Sequence, residues 1–119
     1  MVTPRNHSMF YEDKLVLVTG GTGLIGTHIV EELLKTGARI KVPIHKRQMN
    51  VISQDIQTCS ADLTKFEDCL EITKGVDYVF HAAGAVGSAA ATPTHAMGDI
   101  ITNLSVTSQM LRAAWQTGV

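Results

Sequence analysis

Thr19-Gly20-Gly21-Thr22-Gly23-Leu24-Ile25-Gly26 follows directly on the apolar run Leu15-Val16-Leu17-Val18 and leads into a helix-forming stretch, Thr27 to Lys35. The spacing is G-x-x-G-x-x-G, set between a strand and a helix. Gly20 allows a tight turn, Gly23 allows a phosphate to approach the backbone, and Gly26 allows the helix to pack closely on the strand. Such a loop aims backbone N–H groups at a pyrophosphate, and the helix N-terminus adds partial positive charge. The strand before and the helix after separate this pattern from a chance run of glycines. The stretch predicts a dinucleotide-binding unit.

The rest of the chain continues the same alternation. Lys14 to Thr19 reads as the first strand, and its unbroken apolar run suits a strand buried on both faces. Gly37 ends the first helix. Ala38 to Ile44 reads as a second strand that frays at Pro43, which lacks an N–H for the ladder. Ile56 to Ser60 is a third strand. Asp62-Leu63-Thr64 opens a second helix, with Thr64 and Glu67 spaced as a capping box. Val76 to His81 is the fourth strand, Ala82 to Pro93 a loop of small residues, and Met97 to Thr117 a long helix stopped by Gly118. The order β-α-β-β-α-β-α implies right-handed crossovers and a parallel sheet. Residues 1–13 read as an irregular lead-in, and residues 14–119 as one domain.

Composition narrows the classes of function. The chain has 119 residues, 45% of them hydrophobic and 18% charged, which suits one globular domain. A net charge of -1 favours neither nucleic acid nor an anionic membrane as partner. No apolar run is long enough to span a bilayer, and Met1 to Lys14 contains no secretory core. Cys59 and Cys69 lack C-x-x-C spacing, so they read as reduced thiols of a cytoplasmic protein with no metal site.

Candidate site residues lie where strands end. About 20 positions past the glycine loop, a dinucleotide fold places an acid for the ribose 2′-OH. Here the window reads Ile44-His45-Lys46-Arg47. Fixed cations suit a 2′-phosphate, so the cofactor expected is NADP, with NAD as the alternative. A solvated basic turn would look the same. Asp62 reads either as an acceptor for the adenine amino group or as a helix-start residue. His81-Ala82-Ala83-Gly84 leaves room at the strand end, where ligands of open α/β sheets bind. His81 reads as a satisfied structural histidine rather than a general base, since no partner acid is near in sequence. Asn103 is a mediocre helix former inside a helix, and reads either as a residue whose amide is used or as a solvent-facing one.

Together these residues resemble the extended short-chain dehydrogenase/reductase family of nucleotide-sugar epimerases, dehydratases and reductases. The resemblance rests on T-G-G-T-G-L-I-G at 19–26, A-D-L at 61–63, D-Y-V-F-H-A-A-G at 77–84 and N-L-S-V-T-S-Q-M-L-R-A-A at 103–114. Within the family, the stretch from His81 through Val86-Gly87 to Asn103 and Ala113-Ala114-Trp115 is similar to the GDP-fucose synthases, while the loop at 19–26 looks more like epimerases in general. The resemblance implies a Rossmann-type, doubly wound parallel α/β sheet, truncated after about four strands. It implies that Gly20, Gly23, Leu24, Ile25 and Gly26 meet the pyrophosphate, Asp62 and Leu63 the adenine, and Ala82, Ala83 and Gly84 the ribose. Asn103 would brace the loops near the active centre.

The family's chemistry uses a serine and a Tyr-x-x-x-Lys pair, whose lysine lowers the tyrosine pKa. Tyr11 and Lys14 have the wrong spacing, and Tyr78 is followed by Ala82 where the lysine should stand. No catalytic residue is therefore assigned, and the chain is expected to be the cofactor-binding part of a longer parent that alone meets the nucleotide-sugar. A non-catalytic NADP sensor or scaffold, or half of a split enzyme, are the alternatives. In the strand order 3-2-1-4-5, lack of strand five would leave Val76 to His81 as an open edge. That points to a homo-oligomer paired through this edge or through the last helix.

Overall fold

The computed structural model describes residues 10–84 and 93–119, so the expectations for residues 1–9 and for the loop at 85–92 lie outside the described residues. The elements are β1 (Leu15–Thr19), α1 (Leu24–Leu34), β2 (Arg39–Ile44), β3 (Ile56–Ser60), α2 (Phe66–Thr73), β4 (Tyr78–His81) and α3 (Pro93–Thr117). All pairings are parallel, in the order β3-β2-β1-β4. This is the expected Rossmann-type arrangement.

β1 is central because its side chains are apolar on both faces. Val16 and Val18 pack with Val30 and Leu33 of α1 and with Ile40 and Val42 of β2. Leu17 points the other way, toward Cys69 and Ile72 of α2 and Met110 and Ala113 of α3. Each fully buried aliphatic side chain of this kind contributes about 1.5–3 kcal/mol. Two apolar layers thus clamp the sheet between α1 on one face and α2 with α3 on the other.

Several boundaries differ from the sequence reading, each for a local reason. α1 begins at Leu24 rather than Thr27, because the glycine loop is already helical at its end, with Thr27 N–H donating to Gly23 O at 2.9 Å. α3 begins at Pro93, a residue suited to the first helical position, where its missing N–H costs nothing. β4 is shorter than expected because Val76 N–H turns back to Thr73 O at 3.3 Å. β2 does not fray at Pro43: pairing to β3 continues through Pro43↔Cys59 and Ile44↔Ser60. Ile40 N–H donates toward β3 and Arg39 N–H toward β1, so the alternation turns Pro43 toward β1. The β1–β2 ladder has ended by then, at Leu17↔Lys41, and the missing N–H breaks no bond.

The capping box does not form. α2 starts at Phe66, and no side chain caps its first turn. Thr64 instead donates both its N–H and its hydroxyl to Asp62 Oδ1, at 3.0 and 2.6 Å. The reciprocal bond comes from Asp62 N–H to Asp68 Oδ2 at 2.8 Å. At the other end of the sheet, Tyr11 packs its ring against Tyr78 and Phe80, with centroids 5.4 and 6.1 Å apart, so the last residues of the lead-in cover β4.

Candidate dinucleotide cleft

The glycine loop runs between α1 and the exit of β4, with no room for a side chain at Gly20 or Gly26. Gly20 has φ +69°, and a Cβ there would lie 2.7 Å from the backbone of Ala82 and Ala83. A Cβ on Gly26 would lie 1.9 Å from Gly20 O, so this glycine lets the helix press on the loop itself rather than on the strand. Gly23 is looser: its added Cβ would meet Gly20 O at 3.3 Å and no other described atom within 4 Å. The N-terminus of α1 has no side-chain cap and no acid in its first turn. Its leading N–H groups therefore remain for an incoming acceptor, in a positive local field.

Thr19 and His81 fix the loop against β4. Thr19 is fully buried. Its Oγ1 lies 2.6 Å from His81 Nδ1 and accepts Ala83 N–H at 3.2 Å. His81 Nε2 lies 3.2 Å from Thr107 Oγ1 on α3. A neutral imidazole satisfies both hydroxyls in either tautomer. Burial pushes the His81 pKa below its ordinary value of 6.5, which keeps the ring neutral at pH 7. The histidine joins three elements and is not poised as a base.

Beyond the carboxyl ends of the strands lies a cleft of about 260 Å³. Gly20, Thr22 and Ala83 form its floor side. His45, Lys46 and Arg47 stand on one wall, Asp62, Leu63 and Thr64 on another, and Pro43, Ala61 and Val106 close it. The three basic-turn residues are exposed. Hydrogen bonds from Thr64 hold the Asp62 carboxyl below its usual range, and His45 and Lys65 add to this through their charge. The cleft thus offers backbone N–H groups and fixed cations beside one ionised carboxylate.

Not every expected residue lies in this cleft. Gly20, His45, Lys46, Arg47, Asp62, Leu63 and Ala83 line it. Gly23 and Gly26 shape the loop beside it, and Ala82 backs Gly20. Leu24 and Ile25 do not line it and are 81% and 70% exposed. Ile25 instead lines a separate apolar hollow with Tyr11, Ile29 and Phe80. Gly84 and Asn103 meet each other, since a Cβ on Gly84 would lie 3.3 Å from Asn103 Oδ1. Sequence reading missed Thr22, Pro43, Ala61, Thr64 and Val106. Thr22, Ala61 and Thr64 adjoin residues it did select, and Pro43 lies two before His45. Val106 reaches the cleft only through the packing of α3, which no local signal reveals.

A model of the NAD dependent epimerase/dehydratase family matches residues 16–119, and the chain belongs to that family. It is 29% identical over 115 residues to a 3-beta-hydroxysteroid dehydrogenase of Mycolicibacterium neoaurum, covering 87% of this chain and 29% of the relative. It is 36% identical over 93 residues to the UDP-glucose 4-epimerase of Neisseria meningitidis serogroup B, covering 67% of this chain and 27% of the relative. Among solved structures, a short chain dehydrogenase of Leptospira borgpetersenii with bound NAD+ superposes with a TM-score of 0.77 at 26% identity, covering 98% of this chain and 50% of that one. The chain therefore spans less than a third of the length of these curated relatives.

Proposed function

We propose that this chain forms the NADP-holding part of an enzyme that moves hydride to or from a secondary alcohol carbon of a nucleotide-sugar. The observation that carries the cofactor choice is the wall of the cleft formed by His45, Lys46 and Arg47, where a preference for NAD calls for an acid. Lys46 and Arg47 would hold the 2′-phosphate, Arg47 through paired donors. The N–H groups at the start of α1 would hold the pyrophosphate, while Gly23 N–H is held by Gly20 O at 3.0 Å, and Asp62 with Leu63 would flank the adenine. Thr19 and His81 keep Ala82 and Ala83 pressed on Gly20, which sets the shape of the floor.

When bound, the nicotinamide supplies hydride transfer. This chain's residues bind and orient the cofactor, and no proton-transferring group is assigned to them. The sugar class follows the epimerase relatives and the quoted motifs. The match to a 3-beta-hydroxysteroid dehydrogenase supports a sterol alcohol as the second reading, with the same hydride chemistry. A non-catalytic NADP module, or half of a split enzyme, would use the same cleft.

The test is a fluorescence titration with NADPH and NADH. NADPH should bind at least roughly tenfold more tightly, the scale of one charge-assisted contact. The Lys46→Ala/Arg47→Ala variant should lose that preference. Equal affinity for the two cofactors in the unaltered chain would overturn the NADP reading. Turnover of UDP- or GDP-sugars by this chain alone would overturn the assignment of a binding part without catalysis.

A further inference from the structure

Two buried residues stand behind the cleft without lining it. Gly21 lies between Gly20 and Thr22 of the floor side, and Val42 lies just before Pro43, which leads into the basic turn. The two residues meet each other. A Cβ on Gly21 would lie 2.7 Å from Val42 Cγ1 and 3.2 Å from Val42 Cγ2. Carbon atoms rest at about 3.5–4.0 Å, so one added methyl group must push something aside. Val42 has no room to yield. It is fully buried in the cluster of Val16, Val18, Val30 and Ile40, and its branched side chain is stiff at χ1. The loop has no room to slide the other way either. Gly20 already sits against the backbone of Ala82 and Ala83, and Gly21 O accepts the Thr27 hydroxyl of α1 at 3.2 Å. The bare backbone of Gly21 therefore sets how near the loop comes to β2.

We propose that the Gly21–Val42 contact fixes the gap between the phosphate loop and the basic wall, and with it the preference for a cofactor that carries a 2′-phosphate. This role rests on the NADP reading above. A dinucleotide spans that gap, with its pyrophosphate at the start of α1 and its 2′-phosphate at Lys46 and Arg47. A ligand held at two points gains from both only when their separation matches its own length. A methyl group on Gly21 is a wedge. It parts loop from wall by roughly 1 Å, the difference between 2.7 Å and an ordinary carbon contact. NADPH then loses one of its two anchors, whereas NADH has only a hydroxyl to lose there. Gly21 and Val42 are positioning residues: they act through Thr22 on one side and through Pro43 and the basic turn on the other.

Fluorescence titrations with NADPH and NADH on Gly21→Ala, Val42→Ala and the double variant test this, with folding followed by circular dichroism. Gly21→Ala should cut the NADPH preference to about twofold or less, because the charge-assisted contact across the gap is what gives roughly tenfold. The double variant removes the two carbons that the new methyl meets. It should return the preference to within about twofold of the unaltered chain, a coupling that independent substitutions do not show. Simple loss of packing predicts the reverse, with the double variant worse than either single one. A preference that Gly21→Ala leaves intact overturns the role, and so does a double variant that folds without the preference. If Gly21→Ala does not fold alone, recovery of fold and preference together in the double variant sustains the role, and a double variant that stays unfolded overturns it. A lack of preference in the unaltered chain is a different result: it overturns the NADP reading, and this role with it.

Discussion

Gly26 and Gly75 hold their places for different reasons, and substitution separates them. Gly75 has φ +71° with no described atom within 4 Å of an added Cβ, so Gly75→Ala meets only the strain of left-handed backbone. That costs about 1–2 kcal/mol and should leave cofactor affinity unchanged. Gly26→Ala sets a methyl group 1.9 Å from a backbone carbonyl that cannot move without displacing Gly20. It should lower the melting temperature further and abolish cofactor binding. Thermal melts and titrations of the two variants check both statements. This contrast was half legible in the sequence. The motif marked Gly26 as essential, but only the fold shows that its neighbour is the loop carbonyl.

His81 makes a pH-dependent contribution whose direction follows from its burial. The native pKa lies below the unfolded value of 6.5, so the unfolded chain binds the proton first as pH falls. Stability from this group is fully present above pH 6.5 and is lost as pH falls from there through the native pKa. Carboxylates such as Asp62 act lower, below an ordinary value of 3.8. His81→Asn, which keeps a hydrogen-bonding group near Thr19, should flatten the slope of melting temperature just below pH 6.5 and leave the acid limb in place. An unchanged slope in that window would contradict the assignment.

At the scale of elements, the start of α2 shows how a sequence signal can be right in kind and wrong in place. Thr64 and Glu67 have capping-box spacing, yet the turn closes through Asp62 and Asp68. A threonine hydroxyl reaches either a following N–H or a preceding carboxylate, and spacing alone does not decide between them. The outcome matters for the site, because this turn carries Asp62, Leu63 and Thr64 into the cleft. Asp68→Ala removes the acceptor of Asp62 N–H and should cost about 1 kcal/mol of stability. Since that bond orients the turn, cofactor affinity should fall as well, by about threefold for a loosened rather than lost contact. Loss of stability with unchanged affinity would mean that the Asp62 turn does not touch the cofactor. β1 was plain from its apolar run, because a strand buried on both faces needs one, whereas β3, Ile-Gln-Thr-Cys-Ser with an exposed polar middle, carries no such run. Pro43 was misjudged because a proline's effect depends on which neighbour its missing N–H faces, and that is set by register.

At the scale of the whole molecule, α3 closes the cleft. Val106 lines the cleft, Thr107 meets His81, and Gln109 Nε2 donates to Thr64 O at 3.0 Å. All three lie in one turn of α3, so the helix ties the Asp62 turn and the end of β4 to the same wall. Gln109→Ala removes the donor to Thr64 O and should cost about 1 kcal/mol of stability. NADPH affinity should fall with it in a fluorescence titration, because Thr64 lines the cleft. Lower stability with unchanged affinity would show that α3 supports the fold without shaping the cleft.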